Sequence, residues 1–244
     1  MKIGIVIPTK NESKNIKPLY KSIQKNLKKK NIVLCFVDKS DDNQTIDNIK
    51  KYFNNYRHKI IKERKNNSQL TTRCVASNLG FKWLIKNTDA EMLVDLDADL
   101  AHDPFEINRA SELIKRYDVV IASKYHPKSI VKGRTKLRLF ISYSCTFVCQ
   151  LIINKNISDF SNSYRFYRRK CIAKIIKRKI IYKSPIQHLE NLIMLINENY
   201  NIKEMQTKYI ERERGDSSIQ VVGLFFYLLE FIHCLTRFFF RKSI

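Results

Sequence analysis

Aspartates alternate with small or apolar residues in the sequence MLVDLDADLAHDP, residues 92–104. Asp97 and Asp99 flank Ala98 where an apolar run ends, and side chains two apart on an extended chain share a face. Two carboxylates in this arrangement suit Mg²⁺ or Mn²⁺, because such ions take one or two protein carboxylates together with substrate phosphates. Two other interpretations stay open: a general acid–base pair, and a turn that caps a following helix, which explains Asp103 better than the other two.

Strand and helix patterns alternate on both sides of these aspartates. Short β-rich apolar runs predict strands, and apolar residues at helical spacing predict helices. The predicted strands are 2–8, 32–38, 58–64, 90–97, 117–124 and 203–212, and the predicted helices are 11–30, 45–53, 70–85, 104–116, 135–153 and 188–199. This alternation favours an α/β fold with a mostly parallel sheet and helices on both faces. Ligands of such sheets bind beyond the carboxyl ends of the strands, where Asp38, Asp97 and Asp99 lie.

The composition indicates a folded, strongly basic protein. The 244 residues include 46 Lys and Arg against 23 Asp and Glu, a formal net charge of +23, and 44% are hydrophobic. A basic surface favours anionic partners such as phosphates, anionic lipid or nucleic acid, although a Lys-rich proteome would give the same composition. Six cysteines without a Cys-x-x-Cys pair predict free thiols in a reducing compartment, and no signal-peptide pattern is expected at the N-terminus.

The last 26 residues form an apolar segment with a polar stripe. Residues 221–240 have about the length of a membrane span, but Glu230, His233, Arg237 and Arg241 interrupt them at spacings of 3, 4 and 4. This pattern favours an amphipathic helix in the membrane plane, with its last cations, including Lys242, at anionic headgroups. A helix packed on the protein and a spanning helix are the alternatives. We therefore expect a main domain over 1–218 and a membrane-associating helix over 219–244.

Eight features in register give the chain a family resemblance. They are VIPTKNESKNI (6–16), Asp38 with Thr45, DLDADLAHDP (95–104), VVIASKY (119–125), RLFIS (138–142), DFSNSYRFYRR (159–169), IQHLE (186–190) and YIERERGDSS (209–218). Together they resemble family 2 glycosyltransferases of the GT-A (Rossmann-like) fold, in the branch of dolichol-phosphate mannose synthase and polyprenyl-phosphate glycosyltransferases. The resemblance covers about residues 3–218.

The resemblance implies a role for each matching residue. It assigns Pro8, Lys10, Glu12 and Asp38 to the nucleotide, Asp97 and Asp99 to the metal and catalysis, Arg73 and Arg212 to the donor phosphates, Gln187 and Glu190 to the donor sugar, and Arg138, Ser142 and Arg165 to the acceptor side and catalysis. Five positions depart from the family pattern, which fits either a divergent member with a different donor or a member with weakened activity. They are Lys39 for Asp, Ala101 for Gln or Ser, Lys124 for Arg, Ser163 for Gly, and Ser218 for Lys.

The implied function is an inverting, metal-dependent glycosyltransferase. Its donor would be a GDP- or UDP-sugar, and its acceptor a polyprenyl phosphate at the cytoplasmic face of the membrane, where the protein would be peripheral. A glycan hydroxyl in capsule or lipopolysaccharide assembly is the alternative acceptor, which would need a general base such as Asp159 or Glu190. A non-enzymatic nucleic-acid-binding or membrane-associated protein would explain the net charge but not the acid cluster, so we expect no nucleic acid partner.

Overall fold

The computed structural model describes residues 1–63, 72–133, 135–154, 156–211 and 221–241, without the side chains of 136–138, 221–225 and 241. Its strands and helices alternate through the first half of the chain. The strands are β1 (Ile3–Thr9), β2 (Ile32–Asp38), β3 (His58–Lys62), β4 (Met92–Asp95), β5 (Val119–Ser123), β6 (Ile130–Lys132), β7 (Arg165–Arg168), β8 (Ile202–Gln206) and β9 (Lys208–Ile210). The helices are α1 (Ser13–Asn26), α2 (Gln44–Phe53), α3 (Arg73–Asn87), α4 (Glu106–Leu113), α5 (Lys136–Ile152), α6 (Arg169–Ile175), α7 (Ile186–Asn197) and α8 (Val221–Arg241).

Seven strands form one sheet in the order β3-β2-β1-β4-β7-β5-β8. The pairs β1–β2, β1–β4, β2–β3 and β5–β8 are parallel, and β7 runs antiparallel to both of its neighbours. β6 and β9 pair separately in parallel. The predicted α/β fold with a mostly parallel sheet is therefore confirmed, and the carboxyl ends of β1, β2 and β4 meet at one edge.

The central strands are buried on both faces, as their continuous apolar sequences require. Every residue of β2 is buried, and apolar clusters cover each face of the sheet. Helix α3 packs closely on β1 through Gly80, where an added Cβ would lie 2.4 Å from Cγ1 of Val6. This approach holds α3 against β1, and Arg73 and Ser77 near the start of α3 reach Asp95 at the end of β4.

Three predicted segments differ from the structure. The strand predicted over 90–97 ends at Asp95, and the aspartates of interest lie in a turn where Leu100 has φ +61°. They therefore do not share a strand face. The strand predicted over 203–212 is divided at Thr207 into β8 and β9. The carbonyl of Thr207 accepts from Ile130 N, and the residues that follow pair with β6. The helix predicted over 11–30 ends at Asn26.

Helix α8 packs on the body of the protein along one side. Phe231, Cys234, Leu235 and Phe238 are each at most 8% exposed and belong to the cluster that also contains Leu189 and Leu192 of α7. Within the described ranges, none of the helices combines the length and the apolarity that crossing a bilayer requires. All six cysteines lie in those ranges and are unpaired, as predicted.

Candidate active site

Arg73 holds two of the aspartates together at the end of β4. Its Nε donates to Asp97 Oδ1 at 2.6 Å, and its two terminal nitrogens donate to the two oxygens of Asp95 at 2.9 and 3.1 Å. Ser77, one turn further along α3, donates to Asp95 Oδ2 at 2.7 Å. Burial alone would lower the pKa of Arg73, but Asp95 and Asp97 raise it above its ordinary value. The guanidinium thus stays charged and sets the orientation of Asp97.

Asp97 and Asp99 are the partly exposed members of the acid cluster. The Asp97 side chain is 25% exposed, and Asp99 accepts from Ala101 N at 3.0 Å through Oδ1. Two carboxylates at the mouth of a site are a donor set that fits Mg²⁺ or Mn²⁺. Among the described residues, no group of three or more His, Cys, Asp and Glu side chains is placed to hold an ion. An ion here would therefore complete its coordination with donor phosphates and water.

The loops after β1 and β2 form the predicted nucleotide side of the site. Asn11, with φ +55°, donates through its backbone N to Ser40 Oγ at 2.8 Å, and Glu12 N donates to Thr45 Oγ1 at 3.1 Å. Pro8 is half-buried and Lys10 is exposed beside these contacts. The structure thus brings Pro8, Lys10 and Glu12 to the same sheet edge as the aspartates.

Asp38 differs from its predicted role. The side chain is fully buried, and its oxygens accept hydrogen bonds from Thr9 Oγ1 at 2.7 Å and from Ser40 Oγ and N at 2.7 and 3.2 Å. These bonds fix the loop after β2. Direct contact between this carboxylate and a base or ribose would require the loop to move, so the structure favours a positioning role.

On the other side of the aspartates, Lys124 pairs with Asp159. Lys124 Nζ lies 3.7 Å from Asp159 Oδ2, and both side chains are at most 8% exposed. Asp159 also accepts from the backbone N of Lys124 at 2.9 Å and of Asn162 at 2.9 Å. Burial alone would raise the pKa of Asp159, but Lys124 and these backbone bonds lower it. This carboxylate is ionised and anchors the loop before β7.

Arg165, predicted to be catalytic, is fully buried in β7. Its terminal nitrogens donate to the carbonyls of His188 at 2.6 Å and Phe160 at 2.7 Å. These bonds tie α7 to the loop that Asp159 anchors. The structure therefore gives Arg165 a positioning role and does not bring its guanidinium to the exposed acid cluster.

The predicted donor-sugar residues lie on α7. Gln187 is 4% exposed, and its Oε1 has no hydrogen-bond partner among the described residues. It lines a small cavity together with Asp95, Cys74 and His188. Glu190 Oε1 accepts from Arg237 of α8 at 3.4 Å. Arg237 was expected at lipid headgroups, and this contact instead turns it toward α7.

Two predicted site residues fall outside the described parts of the chain, and two others are not predicted from the sequence. Arg212 and the side chain of Arg138 are not among the described residues. Ser142 lies on α5, where its hydroxyl accepts from Tyr125 OH. The missed residues are Asp95, which accepts from Arg73, and Ser77, which donates to Asp95. Asp95 could have been identified as the last residue of the apolar run that precedes the two exposed aspartates.

The partly exposed aspartates beyond the carboxyl ends of a mostly parallel sheet place the chain among α/β proteins that bind ligands at this edge. Comparison with known sequences specifies the class. The sequence model of glycosyl transferase family 2 matches residues 4–176. The chain therefore belongs to glycosyl transferase family 2, and the predicted family and enzyme class are confirmed.

The chain is also similar to curated mannose-transferring proteins. The chain is 28% identical over 141 residues to the polyprenol monophosphomannose synthase of Mycolicibacterium smegmatis. The aligned region covers 57% of the chain and 53% of the relative. It is 26% identical over 232 residues to the dolichol-phosphate mannosyltransferase of Pyrococcus furiosus, covering 93% of the chain and 62% of the relative. The chain thus spans between half and two thirds of the length of these relatives.

Solved structures confirm the GT-A fold. Glucosyl-3-phosphoglycerate synthase from Mycobacterium tuberculosis, solved with Mn²⁺, UDP and glucosyl-3-phosphoglycerate, superposes with a TM-score of 0.67 at 14% identity. That superposition covers 97% of this chain and 79% of the other. S. aureus TarS 1–349 in complex with UDP-GlcNAc gives a TM-score of 0.58 at 19% identity, covering 91% and 62% of the two chains.

Proposed function

We propose that this chain transfers a sugar, with inversion, from a nucleotide-sugar donor to a polyprenyl phosphate. The relatives named above carry polyprenol and dolichol phosphate in their names. The observation that carries the proposal is the chemistry of the acceptor side. The charged groups there are Lys124 and Asp159, and Asp159 is an ionised, fully buried carboxylate already engaged by several donors. Asp159 is therefore poorly suited to act as the base that a hydroxyl acceptor would need, whereas a phosphate acceptor would need none.

The donor side has the groups that a departing nucleotide diphosphate requires. A divalent ion bound to Asp97 and Asp99 would neutralise the charge that develops on the leaving group. Arg73 would hold Asp97 in position, because it bonds both that residue and the buried Asp95. Pro8, Lys10 and Glu12 would line the nucleotide, with Asp38 ordering their neighbouring loop. Arg212 is proposed to close on the donor phosphates.

Gln187 and Glu190 would contact the donor sugar from α7. The buried Gln187 Oε1 lacks a partner among the described residues, and a hydroxyl of the sugar would satisfy it. Arg165 would keep α7 at its distance from the aspartates, since it bonds the His188 carbonyl. We therefore expect Gln187→Ala to change the selectivity among donor sugars more than it changes the affinity for the free nucleotide.

The acceptor side would bind a lipid phosphate. A phosphate monoester is anionic at neutral pH and needs positioning rather than deprotonation. Lys124, Ser142 and Arg138 are the proposed contacts, and Tyr125, which follows Lys124 in the chain, donates through its hydroxyl to Ser142 of α5. Glu190, the second candidate base for a glycan acceptor, is paired with Arg237. The glycan-hydroxyl alternative is thus less well supported.

A transfer assay with two acceptor classes tests the proposal. Purified protein, Mn²⁺ and a GDP- or UDP-sugar are incubated with a short polyprenyl phosphate in detergent, or with a soluble oligosaccharide. We expect a sugar phosphopolyprenol that disappears with a chelator and with Asp99→Asn, but persists with the matched control Asp103→Asn. Transfer to the oligosaccharide alone would refute the proposed acceptor. We further propose that the reaction occurs at the cytoplasmic face of a membrane, with the protein held peripherally by the region around α8.

A further inference from the structure

Helices α5 and α8 each expose a stripe of large apolar side chains. On α5, Phe140, Phe147 and Leu151 are 71, 61 and 59% exposed, and they fall on one face because their spacings are 7 and 4. On α8, Ile232 and Phe240 are 50 and 72% exposed and lie eight residues apart on a second such face. Contiguous apolar surface of this kind marks an interaction site.

The two stripes belong to helices whose buried faces share one apolar cluster. The opposite faces of the two helices enter one apolar cluster, to which α5 contributes Cys149, 1% exposed, and α8 contributes Cys234 and Leu235. Burial first, and then the nearby thiols of Cys145 and Cys234, raise the pKa of Cys149. Cys149 of α5 and Cys234 of α8 thus lie near each other in this cluster, and the apolar stripes are on the exposed sides of the two helices.

A cationic loop borders this surface. The segment KRKIIYK, residues 177–183, precedes α7, and its Tyr182 OH lies 3.1 Å from His233 Nδ1 of α8. Lys177, Lys179 and Lys183 are exposed in this loop, and Ile181 is 40% exposed among them. Apolar side chains rimmed by lysines complement a membrane interface that carries anionic headgroups.

We propose that the exposed stripes of α5 and α8, with the 177–183 loop, form one docking surface for an anionic phospholipid bilayer. The proposal rests on the proposed function, whose acceptor is borne by a lipid. A second copy of the chain is the less suitable occupant, because a two-fold interface would set the lysine rim of one copy against that of the other. The surface adjoins both halves of the site, since α5 carries Ser142 and Arg237 of α8 bonds Glu190.

Vesicle co-sedimentation tests this surface. The wild-type chain is mixed with phosphatidylcholine vesicles that contain phosphatidylglycerol, and with pure phosphatidylcholine vesicles. We expect binding to the anionic vesicles that falls about tenfold or more in Phe147→Ser/Leu151→Ser and, separately, in Ile232→Ser/Phe240→Ser. The matched control is Phe105→Ser, which removes a 59% exposed phenylalanine at the start of α4 and should bind like wild type.

A separate variant tests the contribution of the loop lysines to the binding of anionic vesicles. Lys179→Glu/Lys183→Glu should weaken binding to anionic vesicles while leaving the weak binding to phosphatidylcholine unchanged. Circular dichroism and the melting temperature verify that each variant is folded. Unchanged vesicle binding by the α5 pair would overturn the two-helix surface. A wild-type dimer in light scattering that either apolar pair converts to monomer would overturn it in favour of a second copy.

A detergent assay separates this proposal from the proposed function. The apolar variants should still transfer sugar to a polyprenyl phosphate solubilised in detergent, because the donor site is untouched. A wild-type chain that binds anionic vesicles but transfers no sugar to that acceptor would refute the proposed function and support the docking surface. A wild-type chain that transfers sugar in detergent but does not bind vesicles would support the proposed function and refute the docking surface.

Discussion

Replacing Arg73 with Met should destabilise the fold through the carboxylate it leaves behind. Asp95 is 3% exposed and would lose both bonds from the guanidinium, at 2.9 and 3.1 Å, while keeping that from Ser77. Breaking a buried ion pair costs about 3–5 kcal/mol. Because the Arg73 side chain is itself 30% exposed, we expect a loss near the lower end, about 3 kcal/mol.

Urea unfolding of a double-mutant cycle measures the interaction free energy between Arg73 and Asp95. The cycle comprises Arg73→Met, Asp95→Asn and the double variant, and we expect a coupling free energy of about 1.5 kcal/mol or more between the two sites. Arg57→Met is the matched control, since that arginine is exposed and its loss should change stability by no more than about 0.5 kcal/mol. If Arg73→Met behaved like the control and showed no coupling to Asp95, the cluster described here would be incorrect.

Other predictions concern pH, packing and the acceptor loop. Burial raises the pKa of Glu106 from 4.5 to about 7. Between these pH values the folded state binds a proton that the unfolded state has lost, so the free energy of unfolding should fall as pH rises. In urea titrations at several pH values, Glu106→Gln should flatten this pH dependence. Gly80→Ala should cost about 1–3 kcal/mol by clashing with β1, whereas Leu79→Ala, one residue away and 37% exposed, should be nearly neutral in the same assay. Asp159→Asn should cost about 3 kcal/mol by removing the carboxylate that pairs with the buried Lys124, and an unchanged melting temperature would argue against that pair.

The sequence predicts the first half of the fold well, for a physical reason. β1, β2 and β5 are buried on both faces, so their apolar runs are continuous and their polar last residues mark the ligand edge. The sequence does not predict β7 as a strand, because its first residue is a fully buried arginine, Arg165. The burial of that charge depends on carbonyls of His188 and Phe160, which local sequence does not reveal.

The pairings within the site are also tertiary. Arg73 and Asp95 are 22 residues apart, and Glu190 and Arg237 are 47 apart, so neither contact follows from local spacing. The polar stripe of α8 is visible in the sequence, but its direction is set by the buried face that contains Phe231 and Leu235. The stripe consequently borders α7, and the apolar residues are the ones left outward.

The most direct measurement is a calorimetric titration of GDP and of UDP into the protein with and without Mn²⁺. The account predicts that one nucleotide binds in an Mn²⁺-dependent manner, that Asp99→Asn abolishes this dependence, and that Asp103→Asn, with the same charge change four residues away, retains it. Nucleotide binding that is indifferent to Mn²⁺ and to the Asp99 substitution would contradict the claim that Asp97 and Asp99 hold the ion at the donor diphosphate.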